Sequence, residues 1–161
     1  MKRITLVLLA AVVCLGVSVV SRSADDPLVG KWKLNVEKSK ATPAEFLPKA
    51  QTRTVEADGD GMKYTFDTTK ADGSTANYYF TVKFDGKDYP VSGSGAPFGA
   101  DHVAIKKASD HAYNSTLKKD GKAVATTRVV IAADGKSATL TQKGKDDKGK
   151  PVNATMIYDK E

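Results

Sequence analysis

Residues 61–87, GMKYTFDTTKADGSTANYYFTVKFDGK, contain two strand-like segments and two turn signals in succession. Every second residue of both segments is apolar: Met62, Tyr64, Phe66, Tyr78, Phe80, Val82 and Phe84. A period of two places alternate side chains on opposite faces of a strand, so each segment has one apolar and one polar face. Asp72-Gly73 and Asp85-Gly86 follow the two segments, and Asp-Gly pairs accept the positive backbone angles of tight hairpin turns. The stretch therefore predicts antiparallel strands joined by hairpins.

The same turn signal recurs along most of the chain. Asp-Gly pairs also occur at 58–59, 120–121 and 134–135, and Lys148-Gly149 is a near relative. Successive turn glycines are 14, 13, 35, 14 and 14 residues apart, and the long interval can hold two further strands and a loop. We predict ten strands, at about 29–36, 51–57, 61–69, 75–84, 87–92, 102–107, 111–119, 123–132, 137–144 and 151–159.

These strands predict an all-β fold, an antiparallel up-and-down meander closed into a barrel of eight to ten strands. Closure removes the exposed edges of an open sheet. A two-layer sandwich is the alternative, but its crossovers would require longer connections than these turns. One short helix is expected after the first strand, because Thr42, Pro43 and Glu45 suit the cap, first and third positions of a capping box. Pro48 would end that helix almost at once.

The N-terminus has the layout of a secretory signal peptide. Lys2 and Arg3 precede an apolar run at 4–20, and small polar residues follow, with cleavage expected after Ser23. A retained membrane anchor is the alternative, but the run of 17 residues is shorter than the roughly 20 that span a bilayer. We therefore expect residues 1–23 to be removed, and residues 24–161 to form a single secreted or periplasmic domain without membrane attachment.

Removal of residues 1–23 also changes the chemistry of the chain. The single cysteine, Cys14, leaves with the signal, so residues 24–161 have no disulfide and no thiol nucleophile or ligand. The formal charge falls from +6 to +3, with 22 basic and 19 acidic residues. Only Arg53 and Arg128 among those basic residues are arginines, and the lysines are dispersed along strands and turns. This pattern indicates a solvated surface rather than nucleic-acid binding.

Catalysis and metal binding find little support in the sequence. There is no His-Glu metal motif and no Gly-x-Ser-x-Gly elbow, and the carboxylates cluster in turns. His102 and His111 each follow an aspartate, but no third ligand stands at a suggestive spacing. We expect both histidines on the surface, with the possibility that they face each other across a turn, and we expect no enzyme activity, no metal and no cofactor.

Two stretches at opposite ends of the chain resemble a known group of barrels. Gly30-x-Trp32 in the first strand and ATMIYDK at 154–160 resemble the first and last strands of lipocalins and intracellular fatty-acid-binding proteins. The likeness is to this calycin group, especially its secreted bacterial lipocalin-like members, and covers most of residues 28–160. It implies a cavity-bearing barrel in which Trp32 plugs one end. The position that matches the family's carboxylate-binding arginine is Met156, which argues against free fatty acid as ligand.

The inward strand faces define the candidate site. We expect an aromatic and apolar ligand-binding lining formed by Leu34, Met62, Tyr64, Phe66, Tyr78, Phe80, Phe84, Tyr113, Met156 and Tyr158. Arg128 is a further candidate, as an internal anion anchor, if it shares a face with Val124 and Val130. The opposite phase of that strand carries more apolar residues and puts Arg128 in water. The facing of Arg53 stays open.

Two functions are compatible with this sequence. In the first, an exported monomeric barrel binds a small hydrophobic or amphipathic molecule in its interior, with the loop at 92–101 as a flexible loop or as a gate that carries Phe98. In the second, the same side chains fill a solid core, and the barrel acts as an envelope interaction or inhibitor module through its loops. The size of the enclosed space distinguishes the two.

Overall fold

The computed structural model describes residues 26–161, and the predicted signal peptide at 1–23 lies outside the described residues. The strands are β1 (Gly30–Thr42), β2 (Ala50–Asp58), β3 (Gly61–Thr69), β4 (Thr75–Val82), β5 (Asp85–Pro90), β6 (Ser92–Ser94), β7 (His102–Ser109), β8 (Ala112–Lys119), β9 (Lys122–Ile131), β10 (Ser137–Lys145) and β11 (Pro151–Lys160). The helical elements of residues 26–161 are two 3-10 turns, Ala44–Phe46 and Pro97–Gly99.

All strand pairs are antiparallel, and the sheet order is β5-β7-β8-β9-β10-β11-β1-β2-β3-β4-β6. The first and last strands of the chain are therefore neighbours, and the sheet curls into a nearly closed barrel. This confirms the predicted all-β meander barrel, and it excludes the two-layer sandwich because one continuous sheet contains every strand.

The predicted fifth strand, 87–92, is split into two short strands, which raises the strand count from ten to eleven. β5 pairs with β7, whereas β6 pairs with β4 on the other side of the seam. Pro90 has no N–H to donate, and the Val91 N–H leaves the ladder to bond the Asp101 carbonyl at 2.8 Å. Gly93, at φ +97°, lies so close to β4 that a Cβ there would be 2.3 Å from the Asn77 carbonyl oxygen. This kinked segment therefore joins the two edges of the sheet.

β1 continues six residues beyond its predicted end at 36, because a bulge accommodates the polar residues 37–40 within the strand. The register of β1 against β11 shifts between Asn35 and Lys40. Within the bulge, the Ser39 hydroxyl donates to the Asn35 carbonyl at 2.6 Å and accepts from the Ile157 N–H at 2.8 Å. The serine thus satisfies backbone groups that the extra residues remove from the ladder.

The short helix lies where it was predicted, but the capping box is wrong. Thr42 is the last residue of β1, and Pro43 occupies the N-cap position with no side-chain hydrogen bond to the turn. Only three residues, Ala44–Phe46, are helical. Pro43 and Pro48 restrict the backbone on both sides, so no space remains for the full turn that a capping box requires.

The two ends of the barrel differ. The closed end contains the start of β1 and the end of β11, and it is filled by buried side chains that include Trp32, Met62 and Val82. The open end carries both 3-10 turns and the loop before β7. At the open end, Asp120 and Gly121 both have positive φ, 50° and 75°, as a tight two-residue hairpin turn requires.

Candidate functional site

The barrel interior contains a small inner cavity of about 80 Å³. Aromatic rings from β3, β4 and β8 line it together with aliphatic side chains from β7, β8, β9 and β10. The rings stack on one another, with centroids 4.5 Å apart for Phe66 and Tyr78 and 5.0 Å for Tyr64 and Phe80. Such a space can hold a few waters or one small chemical group, but it is too small to enclose a whole lipid.

A larger cavity, the mouth cavity, opens at the end of the barrel and measures about 400 Å³. Both 3-10 turns border it, and Tyr78, Ala96, Pro97 and Gln142 line it together with the inner cavity. The two spaces therefore adjoin through these four side chains. The volume lies within the roughly 300–1,000 Å³ that is usual for small-molecule sites.

Buried polar side chains lie beside the junction between the cavities, which we call the neck and which Tyr78, Ala96, Pro97 and Gln142 form. Gln51, Thr68 and Gln142 are each only 8 % exposed, and all three line the mouth cavity. The Gln51 amide donates to the Thr68 hydroxyl at 2.8 Å, and its carbonyl oxygen accepts the Tyr158 hydroxyl. These bonds fix the Gln51 amide, so oriented polar groups line the mouth cavity beside the aromatic interior.

Arg53 lies below the neck and points into the inner cavity. It is 4 % exposed, and its guanidinium carbon lies 5.2 Å from the ring centroid of Tyr158, 5.8 Å from that of Phe66 and 5.9 Å from that of Tyr64. Its Nε has no hydrogen-bond partner, and it forms no ion pair with any carboxylate of residues 26–161. Each ring face contributes about 0.5–2 kcal/mol to a cation held above it. Three aromatic faces therefore surround this buried charge.

The neighbouring phenols do not balance that charge. Burial raises the pKa of Tyr64 and Tyr78 well above the ordinary range and raises that of Tyr158 to about 12, although the positive charge of Arg53 acts in the opposite direction. All three hydroxyls are therefore neutral at physiological pH. The inner cavity holds a guanidinium among uncharged groups.

The closed end explains the Gly30-x-Trp32 sequence. Trp32 is 2 % exposed and donates its indole N–H to the Leu28 carbonyl at 2.9 Å, while the Lys160 ammonium lies 5.1 Å from the indole centroid. Gly30 has φ +136°, and a Cβ there would be 2.6 Å from the Lys160 Cε. The glycine thus leaves room for the lysine that covers the tryptophan.

Two aromatic rings border the mouth. Phe46 of the first 3-10 turn stacks on Phe98 of the second, with centroids 5.9 Å apart and ring planes at 15°. Phe98 has φ 58° and ψ 19°, a left-handed conformation that is strained for a phenylalanine. The loop that carries Phe98 thus lies at the mouth, where the sequence analysis considered a gate.

The predicted lining residues are distributed over several parts of the interior. Five of them line the inner cavity: Tyr64, Phe66, Tyr78, Phe80 and Tyr113. Met156 lines the mouth cavity, and Leu34 borders a groove on the barrel wall. Met62, Phe84 and Tyr158 belong to the packed core and border neither cavity.

The expectation about Arg128 needs correction. The inward role considered for Arg128 is wrong, because this residue is exposed on the outer face of β9 and donates to the Asn114 side chain at 3.0 Å. The more apolar phase of that strand, with Ala125, Val129 and Ile131, is buried.

The two histidines do not face each other across a turn. His102 begins β7 at the open end, whereas His111 follows β7 at the closed end. Both are exposed, and His102 bonds the Asp101 carboxylate at 2.8 Å. Within residues 26–161, no cluster of three or more histidine, cysteine or acidic side chains could hold a metal ion.

Sequence reasoning missed Arg53, Gln51 and Gln142. A signal for Arg53 existed, because Val55 and Ala57 share its phase on β2, whereas the opposite phase consists of polar residues. The rarity of buried arginine obscured that signal. The glutamines lie in the inward phase near the ends of their strands, where polar and apolar positions are equally common.

The chain forms a nearly closed barrel from a single antiparallel meander, with an indole buried at the closed end. The zebrafish ileal bile acid-binding protein, crystallised with cholic acid, is 12 % identical over 84 % of this chain and 99 % of its own, with a TM-score of 0.49. The siderocalin Ex-FABP, described as functioning through dual ligand specificities, is 13 % identical over 84 % of this chain and 71 % of its own, with a TM-score of 0.36. No protein-family model matches the sequence, and no curated protein is significantly similar to it.

Proposed function

We propose that this chain is a non-enzymatic, monomeric binding protein that takes a small hydrophobic or amphipathic molecule into the open end of its barrel. The mouth cavity of about 400 Å³ carries the proposal. Aromatic rings, buried polar side chains and charged side chains together line this cavity, and it adjoins the aromatic inner cavity. The charged residues of the lining are Glu45, Lys70, Lys119, Asp146 and Asp147. A mostly apolar pocket with a few oriented polar groups is the usual form of a small-molecule site.

The shape of the two cavities sets the position of the ligand. The inner cavity, at about 80 Å³, admits only one end of a molecule, so most of the ligand would lie in the mouth among Phe46, Phe98 and Met156. The ligand would therefore be shorter or more compact than one that fills a hollow barrel. Its outer part would remain accessible to solvent or to a receiving partner.

We also propose that the protein acts outside the cytoplasm, as a secreted or periplasmic carrier. The signal-like residues 1–23 and the absence of cysteine from residues 24–161 support this proposal. No helix within residues 26–161 has the length and apolar character needed to cross a membrane. Mass spectrometry of the protein from its native cell envelope tests the proposal, because it would detect either the intact N-terminus or one that begins near Ala24.

The small inner cavity favours one competing function. If the side chains at the mouth also close over the neck, the barrel is a solid scaffold whose loops bind another protein. This is the second of the two functions that are compatible with the sequence. That function requires no saturable uptake of a small molecule.

A titration with Nile red, a neutral dye whose fluorescence rises in apolar surroundings, distinguishes the two functions. We expect saturable binding that Ala96→Trp abolishes, because Ala96 lines both cavities and an indole there would fill the junction. Ala108→Trp is the matched control, since Ala108 is exposed on β7 near the closed end. Absence of saturable binding to the wild-type chain would contradict the proposal. Equal loss in both variants would show that the dye does not occupy the mouth.

A further inference from the structure

We propose that Tyr78 and Gln142 form a recognition site for a neutral carboxamide group at the neck, so that the ligand is an amphipath with an amide near its inner end. This inference rests on the proposed use of the mouth cavity and adds the chemical class of the ligand and the residues that select it. Its basis is two polar side chains, 7 % and 8 % exposed, that border both cavities and form no hydrogen bond within residues 26–161.

Both side chains keep their polar atoms in contact with open space. The Tyr78 hydroxyl and the Gln142 amide have no hydrogen-bond partner among the described residues, yet neither is sealed among packed atoms as the Arg53 Nε is. Since both residues are more than nine-tenths buried and line the two adjoining cavities, the space that these groups reach is the neck. They therefore point towards the position that a ligand would take.

Other polar side chains that line the two cavities are paired with one another. The Gln51 amide donates to the Thr68 hydroxyl at 2.8 Å beside the mouth. In the inner cavity, the hydroxyls of Ser115 and Thr127 bond to each other. A buried polar group without a partner costs free energy that a ligand with matching groups can restore. The two groups at the neck are thus available to a ligand, whereas these pairs serve the fold.

The chemistry of the two groups matches a carboxamide. Burial raises the pKa of Tyr78 well above its ordinary range, so the hydroxyl stays neutral and can donate to a carbonyl oxygen of the ligand. The Gln142 amide has both N–H donors and a carbonyl oxygen, which can accept an N–H of the ligand. An amide uses both kinds of bond. A ketone or a carboxylate only accepts, and would leave the Gln142 oxygen without a donor.

The charged side chains of the mouth do not make this selection. Glu45, Asp146 and Asp147 line the mouth together with Lys70 and Lys119, so the lining carries both signs. All five lie in turns or at strand ends of the open end and are exposed or partly exposed, where solvent weakens their interactions. The inner cavity beyond the neck measures only about 80 Å³, so the amide must lie near one end of the ligand, with the remainder in the mouth.

Isothermal titration with nonanamide, 2-decanone and decan-1-ol tests this inference. The three ligands are neutral and equal in their number of non-hydrogen atoms, and the ketone has a methyl group in place of the amide nitrogen. They are titrated into the wild-type chain, Tyr78→Phe, Gln142→Met and the control Tyr79→Phe, whose side chain is 48 % exposed. We expect the wild-type chain to bind nonanamide about 10-fold more tightly than 2-decanone, with decan-1-ol between them. Tyr78→Phe and Gln142→Met should each lower that ratio several-fold, whereas Tyr79→Phe should retain it.

Urea unfolding of the ligand-free variants separates recognition from a structural role. Because neither side chain has a hydrogen bond to lose, the midpoints of Tyr78→Phe and Gln142→Met should not fall by more than about 0.3 M. Tyr158→Phe is the comparison, since it removes a hydroxyl that bonds Gln51, and its midpoint should fall by about 0.5 M or more. A fall of that size in Tyr78→Phe and Gln142→Met would show that the two groups are structural, which would overturn the inference.

The binding outcomes separate this inference from the proposed function. If Nile red binds but the wild-type chain does not prefer nonanamide to 2-decanone, the carboxamide site is wrong and the mouth cavity remains a binding site. If decan-1-ol binds most tightly, the amide class is wrong, and if the preference survives in both variants, other residues recognise the amide. If neither the dye nor any of the three ligands binds, the proposed function fails and the inference fails with it. The comparison on the wild-type chain decides even if a variant does not fold.

Discussion

Arg53→Met should stabilise the ligand-free protein, although it removes a large buried side chain. The substitution removes three ring contacts at centroid distances of 5.2–5.9 Å. These distances lie near the outer limit of about 6 Å for a cation–π contact, so each contributes near the low end of its range, at about 0.5 kcal/mol, and the three together contribute about 2 kcal/mol. It also removes an ion that is 4 % exposed and has no ion-pair partner within the described chain, and the effective burial cost of such an ion is several kcal/mol. Methionine has a flexible apolar side chain that fills much of the same space. We therefore expect a net gain of about 1–3 kcal/mol in the free energy of unfolding.

Urea unfolding followed by circular dichroism measures this gain. The protein is first unfolded and refolded to remove any bound ligand, because a ligand in the barrel would stabilise the folded chain and mask the effect. With a urea dependence of about 2 kcal/mol per molar, the midpoint of Arg53→Met should rise by roughly 0.5–1.5 M.

Arg128→Met is the matched control, because this arginine is exposed and has one hydrogen bond, to Asn114. Its stability should stay within about 0.5 kcal/mol of the wild type. A loss of more than about 1 kcal/mol in Arg53→Met would show that the guanidinium is a satisfied structural group, which would refute the argument.

Four further predictions concern the closed end, the mouth and the buried phenols. Gly30→Ala should lower the free energy of unfolding, measured with urea, by about 1–3 kcal/mol, because a Cβ at φ +136° would lie 2.6 Å from the Lys160 side chain. Gly59→Ala is the control and should cost less, because nothing lies within 4 Å of a Cβ there. Trp32→Phe should cost about 2–4 kcal/mol by the same assay, since it leaves a cavity and removes the indole N–H bond to the Leu28 carbonyl; a cost under 1 kcal/mol would contradict the role of Trp32 at the closed end. Phe98→Gly relieves a φ of 58° and removes the ring stacked on Phe46, so stopped-flow fluorescence should show faster Nile red release with little loss of stability; slower release would exclude Phe98 as a barrier. Burial raises the pKa of Tyr158 from 10.0 to about 12, so the folded state binds more protons than the unfolded state between these pH values. The free energy of unfolding should therefore fall as pH rises above 10. Tyrosinate absorbance should increase together with the loss of circular dichroism, and full ionisation before unfolding would contradict the burial of these phenols.

The strands and turns could be predicted because local chemistry determines them. Asp-Gly turns and period-two apolar residues operate within a few positions of the chain, and the strands around Tyr64 and Tyr78 lie where that pattern places them. The extension of β1 through its bulge could not be predicted, because the Ser39 hydroxyl makes its bond with Ile157, which is 118 residues away in sequence.

The candidate site was harder to predict for a similar reason. Alternation identified which aromatic side chains face inward, but it carried no information on how much space they leave. Tyr64, Phe66 and Phe80 pack against one another in the interior, and only a small space remains beside them. The larger of the two adjoining cavities lies at the mouth, where residues from two loops and several strands meet. The inward facing of Arg53 follows from the phase of Val55, but its lack of an ion-pair partner depends on every strand that surrounds it.

A crystal structure of the chain grown with Nile red tests the central claim most directly. We expect the dye to lie in the mouth cavity between Phe98 and Gln142 and to reach the neck beside Tyr78. Dye bound only on the outer surface, with the mouth cavity unchanged, would contradict the proposed function.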